Sequence, residues 1–167
     1  MIARSSLRVP RQVLVYLFRR GAELEFLLLR RTERHGGFWQ GVTGAPESEE
    51  SDVEGAVREV LEETGFVVAD RIAATGVRYE ILRESYSDRN EWERLYGPNV
   101  LVVPEEVYVA EVPLATDPTL APYEHDDFRW CNLEEALELL KWDTNREALV
   151  VAHDFIRARK PTRRSAP

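Results

Sequence analysis

The chain has 167 residues, enough for one domain with its own core and too few for two ordinary ones. Its 22 Lys and Arg against 30 Asp and Glu leave a formal net charge of −8, which excludes the broad positive footprint that duplex nucleic acid requires. One cysteine, Cys131, allows neither an intrachain disulfide nor a cysteine-built zinc cluster, and no apolar run exceeds strand size, so a cytoplasmic protein with no membrane or nucleic-acid partner is expected.

In chain order, residues 12–18 and 25–29 are rich in aliphatic and aromatic side chains and predict two strands, with Arg19-Arg20-Gly21-Ala22 as the hairpin connection; 41–44 predicts a short third strand. The period changes after Ser51. Val53, Val57, Val60, Leu61 and Thr64 recur at helical spacing, Gly65 stands where a helix stops, and Ser51-Asp52-Val53-Glu54 reads as a capping box. Strands are predicted at 71–79, 107–112 and 128–131, and amphipathic helices at 133–140 and 145–158. The stretch 80–99 contains Tyr86, Trp92 and Tyr96 without a clear period and reads as a long functional loop. The whole pattern predicts a layered α/β (α+β) fold forming a single domain over 1–167, with its core at about 10–158 and a basic, frayed tail at 159–167.

On a helical wheel of about 100° per residue, Glu59, Glu62 and Glu63 share one face while Val53, Val57, Val60 and Leu61 gather on the other. Arg58 points off to the side of the acidic face and neutralises it only partly. Glu59 lies three and four residues before two like charges, and each such pair costs a helix roughly 0.2–0.5 kcal/mol. A divalent cation turns that repulsion into coordination, and oxygen-only ligands suit Mg²⁺ or Mn²⁺ rather than zinc. A solvated acidic helix face is the alternative when these three residues are taken alone.

The surrounding residues extend the pattern: Gly44, five residues, Glu50, seven residues, Arg58-Glu59, an aliphatic, any residue, Glu62-Glu63, any residue, Gly65 and apolar Phe66. These nine positions over 23 residues fill the Nudix box, and the chain resembles the Nudix (MutT-like) hydrolase family. The resemblance implies an α/β/α sandwich with a central mixed sheet and a loop–helix–loop built by the box. It also implies hydrolysis of a phosphoanhydride in a small-molecule substrate with Mg²⁺ or Mn²⁺. By this analogy Glu59, Glu62 and Glu63 hold the metal with the Gly44 carbonyl, and Glu59 or another carboxylate deprotonates water. Arg58 and Glu50 pair to fix the loop against the helix. Dimerisation is common in the family.

Phe38-Trp39-Gln40-Gly41-Val42-Thr43-Gly44, Glu124-His125 with Trp130, and Trp142-Asp143-Thr144-Asn145-Arg146 resemble the dihydroneopterin triphosphate (dATP) pyrophosphohydrolase branch. That branch implies Glu124 as a further metal ligand or base. Thr43-Gly44-Ala45-Pro46-Glu47 departs from the Gly-Gly pair common before the box. Arg30 and Arg31 are candidate phosphate ligands at a strand end. Trp39, Tyr86 and Trp92 are candidates to stack on a base or pterin ring, with core packing the alternative for Trp39. His35, His125 and His153 are expected to be structural or solvent-facing. The expected reaction is cleavage of a nucleoside or pterin triphosphate to monophosphate and pyrophosphate. The alternatives are another linked nucleoside diphosphate as substrate, or a ligand sensor without turnover.

Overall fold

The structure, a computed structural model, describes residues 7–159 and 161; most of the expected basic tail lies outside the described residues. Val13 to Phe18 is apolar at every position rather than at alternate ones, the pattern of a strand covered on both faces. It forms the middle of β1 (Gln12–Arg20), which pairs with β2 (Leu24–Arg31) in an antiparallel hairpin near their connection, Phe18 opposite Phe26 and Arg20 opposite Leu24. Farther from the turn the two strands separate and a third segment fills the gap. There β3 (Trp39–Gln40) pairs with β2 and β4 (Val42–Gly44) pairs with β1. The predicted strand at 41–44 is therefore the second half of this wedge, with Gly41 as its joint. A Cβ on Gly41 would lie 2.9 Å from the Val15 carbonyl oxygen, so a side chain does not fit.

Helix α1 (Asp52–Thr64) and strand β5 (Ile72–Leu82) follow, and after helix α2 (Arg89–Tyr96) comes β6 (Val102–Glu111). Strand β6 runs parallel to β1, β5 lies antiparallel beyond it, and β7 (His125–Cys131) covers the free side of β2, completing a seven-stranded mixed sheet. One face, with Val13, Val15, Leu17, Leu27 and Leu29, packs on Ala56 and Val60 of α1. The other, with Leu14, Tyr16, Phe26, Leu28 and Val109, packs on α3 (Leu133–Leu139) and α4 (Asp143–Ala158) through Ala136, Leu149, Ala152 and Ile156. This is the expected α/β/α sandwich. No helix among the described residues is long and apolar enough to cross a membrane.

The stretch 80–99 is not a loop. Strand β5 runs on to Leu82, a 3-10 turn covers Arg83–Ser85, and α2 follows. The Asp88 carboxylate caps α2, accepting from the backbone N–H of Asn90 at 2.9 Å and of Glu91 at 3.0 Å. Trp92 and Tyr96, one turn apart, then bury against Val103, and two apolar contacts are too few to show a period in sequence.

Glu105 on β6 is only 4% exposed and accepts a hydrogen bond of 2.8 Å from Gln12 Nε2. Burial pushes its carboxyl up to about 7, against the pull of that bond. The folded chain therefore holds this proton more tightly than the unfolded one. Its contribution to stability falls as pH rises from the usual glutamate range through about 7. Glu105→Gln should flatten that fall and recover on the order of 2–3 kcal/mol above neutrality. Thermal melts from about pH 5 to pH 8 check this, and an unchanged slope in the variant contradicts it.

Candidate active site

The loop between β4 and α1 is fixed before any chemistry is considered. Ser51 Oγ accepts from the Glu54 N–H at 3.3 Å while Glu54 Oε2 accepts from the Ser51 N–H at 2.8 Å, the expected capping box. Arg11 donates to the Glu50 carbonyl at 2.8 Å and pairs with Asp52. Pro46 lies against Gly55, where a Cβ would stand 2.9 Å from the proline Cα. This close approach rotates the helix from the expected orientation. The buried arc runs through Gly55, Ala56, Val60, Glu63 and Thr64, whereas Val53 and Leu61 are 40% and 49% exposed rather than in the core. Glu63 thus turns inward and Glu62 outward, with Glu59 between them in exposure.

Glu59 lies against the backbone of Gly44, since a Cβ there would sit 2.1 Å from Glu59 Cδ. Burial raises the Glu59 carboxyl to about 7; Arg58 opposes the rise and the neighbouring Glu63 and Glu62 charges add to it. Arg58 grips Glu50 with two bonds, Nε to Oε1 at 2.8 Å and Nη2 to Oε2 at 3.0 Å, and donates to the Ala45 carbonyl at 3.1 Å. This is the expected tie between loop and helix. The remaining Nη1 does not point aside. It reaches Glu59 Oε1 at 3.0 Å and Glu62 Oε2 at 3.2 Å, so one guanidinium offsets much of the carboxylate repulsion. The bonds to Glu50 above all raise the Arg58 pKa, and the same pairing lowers that of Glu50.

Strand β7 closes the other side. Its first residue, His125, pairs with Arg31 past a register shift in β2, and the Thr32 N–H donates to the Glu124 carbonyl at 3.0 Å. His125 is fully buried and its Nε2 lies 3.0 Å from Glu63 Oε2. Glu63, Glu124 and His125 each offer a ligand atom, and these atoms lie within 4.8 Å of one another. Burial raises the Glu63 pKa while His125 lowers it. Of the two expected placements, solvent-facing or structural, His125 is buried, and its one side-chain bond goes to Glu63.

Arg31 is paired in the sheet with His125, and its guanidinium stands 5.9 Å from the Phe38 ring. Tyr86 is half-buried, edge-on to Trp92 at 5.4 Å, and burial pushes its phenol up to about 12. The other ring and phosphate candidates are placed elsewhere. Arg30 is engaged with Asp126 at 2.7 Å. Trp39 packs on the α3–α4 side of the core with the Arg129 guanidinium 5.3 Å over its ring. Trp92 is 1% exposed, its Nε1 donating to the Val100 carbonyl at 2.8 Å, and has no face to offer a ligand.

A family model described as NUDIX domain matches residues 8–153. Over 142 residues the chain is 29% identical to a dihydroneopterin triphosphate diphosphatase of Haemophilus influenzae, covering 82% of this chain and 83% of that protein. It is also 29% identical over 135 residues to an asymmetrical bis(5'-nucleosyl)-tetraphosphatase of Rattus norvegicus, covering 80% and 81%. A crystal structure of a NUDIX hydrolase from Listeria monocytogenes shares the fold at 30% identity and a TM-score of 0.72, covering 90% of this chain and 96% of that one. The chain further matches an octanoyltransferase of Myxococcus xanthus at 34% identity over 130 residues, 78% of this chain, but it spans only 32% of that protein's length.

Proposed function

Because the chain belongs to the Nudix family of hydrolases, which act on phosphoanhydride bonds, we propose that it is a Mg²⁺- or Mn²⁺-dependent pyrophosphohydrolase converting a nucleoside or pterin triphosphate to monophosphate and pyrophosphate. The observation that carries this reading is the state of the three box glutamates. Arg58 takes one oxygen of Glu59 and one of Glu62, and His125 takes one of Glu63. Glu59 Oε2, Glu62 Oε1 and Glu63 Oε1 have no hydrogen-bond partner among the described side chains. Glu63 and Glu124 offer oxygens within 4.8 Å of each other and of a His125 ring nitrogen, and Glu59 lies against Gly44; carboxylate oxygens of this kind suit a hard divalent cation.

Ions held there would spread positive charge across the phosphoanhydride and acidify a bound water. The chain's own residues supply the rest. Arg58 holds the loop and helix as one piece, so that the Gly44 carbonyl and the carboxylates keep their spacing. Arg31, paired in the sheet with His125, offers a positive charge for the substrate phosphates. Glu59 or another carboxylate of the site takes the proton of the attacking water.

Glu62→Gln tests the exposed member of the set. Its side chain is 57% exposed, so the fold should be unaffected while turnover falls by at least about tenfold. Melting temperature and kcat at saturating Mg²⁺ check this, and near-wild-type turnover contradicts it.

The rat tetraphosphatase, matched at the same 29% identity, supports a second reading in which the substrate is a dinucleoside polyphosphate. A panel of nucleoside and pterin triphosphates, dinucleoside polyphosphates and nucleotide sugars, assayed with Mg²⁺ and Mn²⁺ and with products identified, separates the two. Monophosphate and pyrophosphate from a triphosphate support the first reading; preferred cleavage of a dinucleotide replaces it with the second. Binding without cleavage of any member would make the chain a sensor.

A further inference from the structure

We propose that His125 is a positioning residue for the cation site, one that fixes Glu63 by donating Nε2–H to Oε2 and so leaves Oε1 aimed as a ligand. The inference rests on the reading of Glu63 as a cation ligand. Three observations support it. His125 is 0% exposed by side chain and Glu63 4%, so solvent does not share the 3.0 Å bond between them. The imidazole comes at a cost, because its Nδ1 is buried without a hydrogen-bond partner among the described residues. An apolar side chain would fill the same volume without that penalty, so the one bond the ring does make is what a histidine adds here. The backbone carrying the ring is also held. The N–H groups of Glu124 and His125 both donate to the Ala121 carbonyl at 3.0 Å, and the next bonds belong to the β2–β7 ladder.

Glu63 is a flexible carboxylate at the end of a helix, and burial alone leaves its terminal torsion free. A single buried donor on Oε2 sets that torsion, the arrangement by which outer partners orient ligands around a metal. The same cluster admits a competing geometry in which the imidazole itself binds the cation. In that case Nε2 would be lost to Glu63, and the two arrangements are distinguishable.

The test is Mn²⁺ binding to the whole protein, followed by the electron paramagnetic resonance of the free ion and independent of turnover. His125→Leu removes the donor, and His125→Asn keeps a polar group but is too short to reach Glu63. Both should weaken Mn²⁺ binding about 10–100-fold. His125→Gln carries an amide N–H near the Nε2 position and should stay within about threefold of wild type. Circular dichroism identifies any variant that does not fold. Should the leucine variant fail, the Asn–Gln comparison decides the matter. Equal Mn²⁺ affinity in folded His125→Asn and wild type overturns the proposal, as does a directly coordinated ¹⁴N signal in the wild-type Mn²⁺ spectrum. If the wild type takes up no Mn²⁺, the cation reading of Glu63 itself falls, and the role of His125 falls with it.

Discussion

Glu59→Gln is expected to lower kcat by roughly 10²–10⁴-fold without unfolding the domain, the range a positioned acid–base group contributes. Glutamine keeps the size of the side chain and can still accept from Arg58 Nη1 through its amide oxygen, so the loop should stay in place. What is lost is a carboxylate oxygen facing away from Arg58, with its negative charge and its capacity to take a proton. Removing a carboxyl that burial raises to about 7 also relieves a desolvation cost. The variant should therefore melt at or above the wild-type temperature at pH 8 while turning over far more slowly. A folded variant with kcat within threefold of wild type would show that Glu59 neither binds the cation nor moves the proton.

Gly44→Ala should be almost as damaging to turnover, and for a purely steric reason. The backbone at Gly44 does not require glycine, since it is not among the residues with positive φ. The obstacle is the Glu59 side chain, whose Cδ would stand 2.1 Å from the new methyl carbon. Relief of that overlap must move the carboxylate by more than an ångström, and displacements of that size cost on the order of 10²-fold in a positioned site. The partner experiment isolates the cause. In a Glu59→Ala background the overlap is gone, so adding Gly44→Ala should change the melting temperature little, whereas the same change in wild type should lower it. An equal loss of stability in both backgrounds would place the strain elsewhere.

Much of this architecture is legible in the chain because each part states its own local rule. The continuous apolar run of β1 announces a strand covered on both faces, and Ser51 with Glu54 announces the helix start to the residue. Arg58 and Glu50 could be paired from their spacing in a known pattern, and the two bonds between them follow that expectation. The rotation of α1 could not be read in the same way. It depends on Pro46 meeting Gly55, a contact between a loop and a small residue that hydrophobic periodicity does not register. Trp92 misled for a related reason: an aromatic in a polar stretch looks available for stacking until α2 forms and buries it. His125 was hidden because its partner, Glu63, lies 62 residues away and the contact exists only once β7 lies along β2.

Phosphate or pyrophosphate release in excess chelator tests the central claim most directly, because every role assigned to Glu59, Glu62 and Glu63 depends on a divalent cation. Activity on a substrate found in the panel should vanish with excess EDTA and return when Mg²⁺ or Mn²⁺ is restored. Undiminished release in the chelated protein would contradict the account.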